Sequence, residues 1–111
     1  MPEERFFIKK NDTLPDLTAT LVDGNFVVVD LTGISAIVFN MRDANGVVKI
    51  NNVAAAVVVA VDGTVKYEWV TGDTDTAGEF DGEFGITFGG GGIQTIPAAT
   101  DIRITIRDEV A

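Results

Sequence analysis

Cysteine and histidine are both absent from this 111-residue sequence, and each absence removes a class of chemistry. Without cysteine, the chain cannot form disulfides or thiolate metal sites. Without histidine, it lacks the side chain that most readily acts as a general base near neutral pH and most often ligates metals. Most hydrolase triads, cysteine nucleophiles and zinc sites are therefore excluded.

Basic residues are also few. The sequence has 8 lysines and arginines against 17 aspartates and glutamates, which gives a formal charge of −9. A surface of this sign repels phosphate backbones, so we expect no nucleic-acid partner. The excess of acid is typical of a chain that stays soluble through its charge.

The sequence has no long hydrophobic run. Its longest apolar stretch, Val53 to Val61, is far shorter than the roughly 20 residues that a membrane helix needs. We interpret this stretch as a strand buried on both faces. Residues 1–5, three of which are charged, are followed by only three apolar residues, which is too short for a signal peptide. We therefore expect a soluble chain, made in a cytoplasm and without a membrane partner.

Turn signals recur at short spacing, at residues 23–25, 43–46, 62–63, 71–73 and 89–92. Gly, Asn and Asp dominate turns because they tolerate positive φ or bond their own backbone. Several short strands at such spacing predict an all-β sandwich or barrel. We predict strands near residues 5–9, 16–22, 26–31, 34–42, 46–51, 54–61, 64–70, 79–88, 93–96 and 101–107. Residues 1–111 are expected to form a single β-sandwich domain of two antiparallel sheets.

The stretch from Gly63 to Phe88 is the most informative part of the chain. Val65, Tyr67 and Trp69 share one parity before an acidic, glycine-rich turn. Because side chains alternate faces along a strand, we predict two strands, each with one buried and one wet face. We place Tyr67 and Trp69 at the centre of the core, since aromatic rings bury the most apolar area. After the turn the predicted buried set is Phe80, Phe84, Ile86 and Phe88, and the opposite set is Glu79, Asp81, Glu83 and Thr87.

Two other segments show clear parity. The last strand alternates isoleucine with polar residues, which is typical of a strand at the face of a sandwich. The segment near residues 34–42 is apolar on both parities, which favours a central strand. The isoleucines are Ile102, Ile104 and Ile106, against Arg103, Thr105 and Arg107; the second segment sets Ile37, Phe39 and Met41 against Ala36, Val38 and Asn40.

Four acids in and after the turn, Asp73, Asp75, Glu79 and Asp81, have a spacing that can bind calcium. The pattern lacks the third aspartate and the downstream glycine and glutamate of an EF-hand loop. We instead interpret Asp73 and Asp75 as turn residues whose carboxylates accept backbone N–H groups. No metal site and no cofactor are predicted.

Glycines 89–92 resemble a phosphate-binding loop in composition only. Such a loop requires a following helix N-terminus and usually a lysine. The sequence continues with Ile93-Gln94-Thr95-Ile96, which is typical of a strand. We predict a mobile hairpin tip.

Paired carboxylates can perform glycosidase chemistry. Glu79, Asp81 and Glu83 occupy alternate positions on the predicted solvent face of one strand. Nothing in that setting raises a carboxyl pKa or forms a cleft. We predict a solvated face, no catalytic residues and no enzyme.

Phe6 and Phe7 are adjacent, so on an extended strand one of them points away from the core. An outward phenylalanine can mark a contact with a neighbouring subunit. The alternative is that both faces of this strand are covered within the domain.

Several pieces together resemble a family of small immunoglobulin-like domains in tail and baseplate proteins of tailed phages and prophages, in particular the N-terminal domains of baseplate upper proteins. The pieces run in order over nearly the whole chain. They are Ile8 with Asp12-Thr13-Leu14-Pro15 and Leu17, Val29-Asp30-Leu31-Thr32-Gly33, Val38-Phe39-Asn40-Met41-Arg42, Gly63-Thr64-Val65-Lys66-Tyr67-Glu68-Trp69, and Gly72-Asp73-Thr74-Asp75-Thr76-Ala77-Gly78-Glu79-Phe80.

The last of these pieces also resembles the turn that leads into a late strand of immunoglobulin domains, where a tyrosine corner forms. This chain has Phe80 where relatives often carry tyrosine. The resemblance therefore implies that the hydroxyl bond of that corner is missing and that only packing remains. The cysteine pair of antibody domains is absent too, so the likeness is architectural.

The resemblance implies an immunoglobulin-like antiparallel β-sandwich and a structural part of a virion, in the tail, baseplate or neck, that docks or braces neighbouring proteins. It implies other virion proteins as partners, a homo-oligomer such as a trimer or hexamer, and synthesis in a host bacterial cytoplasm. Family members carry a longer C-terminal region, whereas this sequence ends at Ala111, so it is either a stand-alone protein or one domain of a longer one.

Two alternatives remain at this point. One is a capsid-decorating protein. The other is a carbohydrate- or receptor-binding module, which would need exposed aromatic rings beside polar groups. Trp69 and Tyr67 share the apolar parity instead, which counts against sugar binding.

Overall fold

The computed structural model describes residues 5–25, 27–96 and 102–108. All the regular elements in these ranges are β-strands. They are β1 (Arg5–Lys9), β2 (Leu17–Thr20), β3 (Ile34–Asp43), β4 (Val48–Ala54), β5 (Ala56–Val59), β6 (Thr64–Tyr67), β7 (Gly78–Phe88), β8 (Ile93–Ile96) and β9 (Ile102–Arg107).

The strands form two sheets. The six-stranded sheet has the order β1-β9-β7-β3-β4, and β8 also pairs with β7. Strands β9 and β8 pair with successive parts of β7, at Gly78–Gly82 and at Phe84–Thr87. The three-stranded sheet has the order β2-β6-β5. All of these ladders are antiparallel except the one between β1 and β9.

The predicted all-β sandwich is confirmed. Its strand order is that of an immunoglobulin-like sandwich, in which the second, fifth and fourth strands form one sheet and the third, sixth and seventh the other. Here β2-β6-β5 take the first set of positions and β3-β7-β9 take the second, with β4 added beside β3. The chain therefore crosses between the sheets after β1, β2, β4 and β6.

The core lies between the two sheets and is centred on aromatic rings. Tyr67 and Trp69 are 1% and 6% exposed, as the parity of their strand predicts. The ring of Phe39, on β3, stacks on Tyr67 at 4.6 Å and meets Trp69 edge-on at 6.1 Å. The inward side chains of β7 and β9 complete this core: Phe80, Phe84, Ile86, Ile102, Ile104 and Ile106.

A glycine makes room for this packing. An added Cβ at Gly82, on the inward side of β7, would lie 2.7 Å from Cδ1 of Ile104 and 2.9 Å from two ring atoms of Phe39. Real Cβ atoms do not approach other atoms so closely. The position therefore accepts no side chain while Phe39 and Ile104 keep their places.

The apolar run from Val53 to Val61 is not a single buried strand, so that interpretation was wrong. The run divides at Ala55 into β4 and β5, which belong to different sheets and lie at their edges. Ala55 donates its N–H to the carbonyl of Ile37 at 3.1 Å and packs against the core as the chain crosses over. Val58 and Val61 are exposed. Apolar composition alone does not separate an edge strand from a central one.

The prediction of a strand at 26–31 was also wrong for residues 27–31, which form a loop. Residue 26 lies outside the described residues. Only an isolated bridge joins Val28 to Val22. Side chains hold this loop together with a few backbone bonds. Asp23 Oδ1 accepts the N–H groups of residues 25 and 27, Asp30 Oδ1 accepts the N–H of Thr32, and Val29 donates its N–H to the carbonyl of Leu21 at 2.9 Å. Such local bonds compete with a sheet ladder for the backbone.

Several predicted ends shift as well. The strand predicted at 64–70 ends at Tyr67, because the N–H of Val70 bonds the side chain of Asp73 rather than a neighbouring strand. The segment predicted at 46–51 extends instead over Val48–Ala54, and residue 101 lies outside the described residues.

Candidate interaction surface

The turn between β6 and β7 carries the chain from one sheet to the other, and Asp73 holds it. Oδ2 of Asp73 accepts the hydroxyl of Tyr67 at 2.6 Å and the N–H of Val70 at 2.8 Å. The predicted turn role of Asp73 is thus confirmed. The expectation that only packing remains at this corner was wrong, because a tyrosine of the preceding strand supplies a hydroxyl bond.

This arrangement shifts the pKa of Tyr67. Burial, followed by the hydrogen bond to Asp73 and the charge of that carboxylate, raises the pKa of Tyr67 well above its ordinary value of 10.0. The phenol therefore stays neutral and acts as a hydrogen-bond donor in the core.

Asp75 also joins the turn to a neighbouring strand. Its Oδ1 accepts hydrogen bonds from Nζ of Lys49 and, at 3.0 Å, from the hydroxyl of Thr76. These bonds, with that from Lys49 the larger cause, hold the pKa of Asp75 below its usual range. Asp75 therefore ties the turn to β4, and its carboxylate also accepts a bond from its own backbone N–H, as the predicted turn role requires.

Thr74 fastens the same turn to the segment after β1. It is buried, and its hydroxyl donates to the carbonyl of Asp12 at 2.7 Å. In return Asn11 donates its N–H to the carbonyl of Thr74 at 2.9 Å. No pattern in the sequence marked this contact, because it joins two loops 62 residues apart.

The acids considered as a calcium site do not converge. Asp73 bonds Tyr67, Asp75 bonds Lys49, and Oδ1 of Asp81 accepts Nε of Arg103 at 3.1 Å. Among the residues that the structure describes, no group of three or more acidic side chains is placed to hold a metal ion. The arrangement serves the turn and the sheet surface.

The alternate acids of β7 lie on the outer side of the six-stranded sheet, as their parity predicts. Glu79 is exposed, and Asp81 and Glu83 are half-buried. Asp81 stands in register with Arg103 on one side and Arg42 on the other.

The glycine-rich segment closes a hairpin, as predicted. Phe88 donates its N–H to the carbonyl of Gly92, and Gly91 donates to the carbonyl of Phe88, both at 2.8 Å. The strand β8 follows directly and pairs with β7. A helix N-terminus that would complete a phosphate-binding loop does not follow this hairpin.

The two adjacent phenylalanines have separate environments. Phe6 stacks on Trp69 with ring centroids 5.8 Å apart. Phe7 points to the outer side of the sheet and is 56% exposed. Among the described residues, no segment covers the outer face of β1 at Phe7. This agrees with the first of the two alternatives for β1, a phenylalanine that points away from the core.

Phe7 lies within a surface rich in cations. Strands β1 and β9 are parallel and in register, so their outward side chains stand beside one another. This surface, which we call the basic face, holds four of the chain's eight lysines and arginines. The sequence did not reveal it, since its two strands lie at opposite ends of the chain. The basic face consists of Arg5, Phe7 and Lys9 of β1 and Arg103, Thr105 and Arg107 of β9.

Strand β1 is the last strand on its side of the six-stranded sheet, among the residues described. Its outer edge therefore presents main-chain groups beside an exposed aromatic ring. Exposed sheet edges are ready sites for contact with another chain. The basic face is thus the best candidate for an interaction surface.

Residues 5–25, 27–96 and 102–108 contain no helix of the length and apolar character needed to cross a membrane. Comparison with protein-family models, with curated proteins and with solved structures gives no match to this chain.

Proposed function

We propose that the chain is a non-enzymatic structural component of a phage or prophage virion, in the tail, baseplate or neck, where it docks or braces neighbouring virion proteins. The observation that carries this proposal is Phe7, an aromatic ring 56% exposed in the middle of the basic face of a strongly acidic chain. Such a patch on an edge strand is typical of a protein–protein contact.

The contacts of the acidic and aromatic side chains also support a structural role. Asp73, Asp75 and Asp81 are each engaged by a donor within the fold. Tyr67 and Trp69 are buried, so neither ring is available to stack on a sugar. The residues that would serve a catalytic or carbohydrate site at these positions instead hold the sandwich together.

The pieces that resemble phage tail and baseplate domains supply the setting. They fall largely on the core strands and on the turns that cross between sheets. In this proposal the chain is made in the bacterial cytoplasm and resides in the particle, as a trimer or hexamer in contact with other virion proteins.

The proposal is tested on particles. Purified virions induced from the genome that encodes the chain are analysed by quantitative mass spectrometry. We expect a fixed copy number per particle, a multiple of three or six. A stop codon early in the reading frame, compared with a synonymous change at the same codon, is expected to give incomplete particles. Intact, infectious particles that lack the chain would contradict the proposal.

A further inference from the structure

We propose that the basic face of one copy docks onto an acidic end of a second copy, head to tail. This inference rests on the proposed assembly function and names its partner. Two features carry it: the separation of charge between two parts of the surface, and the exposed apolar residues at the centre of each part.

The basic face is compact. Its strands span five residues, or about 13 Å between the first and last positions, and neighbouring strands lie about 4.8 Å apart. Lys9 and Arg107 are partners in the register and are both exposed. Phe7 lies two residues before Lys9 in β1, so their side chains are neighbours on the same face of the sheet. An apolar centre with a charged rim is the usual composition of a protein interface.

The second surface is the end of the sandwich built by residues 21–25, 27–33, 60–63 and 88–93, which we call the acidic end. These loops are joined: Leu21 donates its N–H to the carbonyl of Gly63 at 2.8 Å, and Leu31 donates to Ala60 at 2.9 Å. Ile34, just after the first loop, pairs with Phe88.

The acidic end bears charge of one sign. It carries Asp23, Asp30 and Asp62, and its three loops contain no lysine or arginine. Hydrogen bonds from Thr32 lower the pKa of Asp30, so this carboxylate stays ionised. Exposed apolar side chains lie in the same loops: Val27, Val61 and Ile93 are 58%, 64% and 78% exposed.

A second copy fits the basic face better than other anionic partners. The formal net charge of −9 includes the four cations of the basic face. The rest of the chain therefore carries a formal charge of −13. A nucleic acid or an anionic membrane extends beyond a patch of this size. It would therefore also meet the negatively charged surface around the basic face, which repels it. A copy of the chain instead presents a small acidic end with apolar side chains of its own, which matches Phe7 and its cationic rim.

The two surfaces differ, so the contact is heterologous. Such contacts close into rings when the rotation between neighbours allows it and otherwise continue as filaments. Each copy uses its basic face once and its acidic end once.

The test uses two variants of the full chain, each with one surface altered. The first carries Phe7→Thr, Lys9→Gln and Arg107→Gln. The second carries Asp23→Asn, Asp62→Asn and Ile93→Thr, where asparagine keeps the side-chain oxygen that bonds the loop at position 23. A control carries Val58→Thr and Lys66→Gln on the outer side of the three-stranded sheet. All substituted apolar side chains are exposed, and unchanged thermal unfolding confirms folding.

Native mass is measured by size-exclusion chromatography with light scattering. We expect an oligomer for the wild type and the control, and at least tenfold weaker association for each variant alone. An equimolar mixture of the two variants should give a one-to-one dimer and nothing larger, because only one intact pair of surfaces exists between them. This result is specific to a head-to-tail contact.

Monomers in the mixture, or wild-type mass for either variant alone, would overturn the inference. So would a wild type that stays monomeric and binds single-stranded DNA or phosphatidylglycerol vesicles through the basic face. These outcomes are separate from failure of the proposed function, which is decided by the presence of the chain in particles. A chain found in particles at fixed copy number, with mass unaffected by either variant, keeps that function and excludes this contact.

Discussion

The hydroxyl of Tyr67 lies 2.6 Å from Oδ2 of Asp73, and this bond joins the end of β6 to the turn that crosses to the other sheet. In immunoglobulin domains a tyrosine near the start of a late strand fixes this region through its hydroxyl. Here Phe80 stands near the start of β7 and is buried, and the hydroxyl comes from β6 instead. This turn is therefore held by a tyrosine hydroxyl from a different strand, and the acceptor is a carboxylate instead of the backbone.

The first prediction concerns ionisation. Tyr67 is the only tyrosine of the chain, so ultraviolet absorbance near 295 nm reports on it alone. Because its pKa is raised in the folded state, we expect no tyrosinate signal as the pH passes 10 while the chain stays folded. The unfolded chain in urea should titrate near 10 and serves as the control.

The same pKa shift sets a pH dependence of stability. Below pH 10 the phenol is neutral in both states and its contribution is fully present. Above pH 10 the unfolded chain loses this proton before the folded chain does, so the free energy of unfolding falls. Tyr67→Phe should show a smaller fall over this range. An equal fall in both proteins would contradict this account.

The second prediction concerns Asp73. We expect Tyr67→Phe to destabilise the chain by about 1.5–3 kcal/mol, because it removes a hydrogen bond to a charged acceptor. Asp73→Ala should cost more, since it leaves the buried hydroxyl of Tyr67 without its acceptor and frees the N–H of Val70 as well. In urea unfolding, the double variant should cost less than the two single changes together. Additive costs would show that the two side chains do not act as a pair.

The third prediction concerns Gly82. Gly82→Ala should destabilise the chain by about 1–3 kcal/mol, because the new methyl group meets Phe39 and Ile104 in a filled core. Gly85→Ala is the matched control on the outer side of the same strand, where the added Cβ would lie 3.2 Å from Cγ2 of Val38. Urea midpoints compare the two. Equal tolerance at both positions would mean that the core at Gly82 has spare room.

The fourth prediction concerns Trp69, the only tryptophan. Trp69→Ala should cost about 3–5 kcal/mol, as expected for a large buried ring. Its indole N–H is buried and has no hydrogen-bond partner among the described residues. Trp69→Phe should therefore cost much less than Trp69→Ala, since it removes no hydrogen bond of the described fold and keeps an aromatic ring beside Phe6. Similar costs for the two changes, measured by thermal unfolding, would reveal an acceptor for the indole.

Parity made much of the core predictable from the sequence. Along β7 the alternation of Phe80, Phe84 and Ile86 with acids is a local signal of period two, and it identified the buried face correctly. The same signal placed Tyr67 and Trp69 inside. These features depend only on neighbours along the strand.

Features that depend on distant partners were not predictable in this way. The parallel pairing of β1 with β9 joins segments almost a chain length apart, so the basic face left no local pattern. The run at Val53–Val61 contains no charge, and composition did not show that β4 and β5 are edge strands. In contrast, the loop at 27–31 had a local sign, since Asp23-Gly24-Asn25 is a turn sequence whose side chain captures the backbone.

The measurement that tests the central claim most directly is the native mass of the wild-type chain across a range of concentrations, by size-exclusion chromatography with light scattering. An assembly component of the proposed kind is expected to give one discrete species, a trimer or a hexamer, that persists on dilution. A monomer at every concentration would contradict the claim that this chain builds a homo-oligomer.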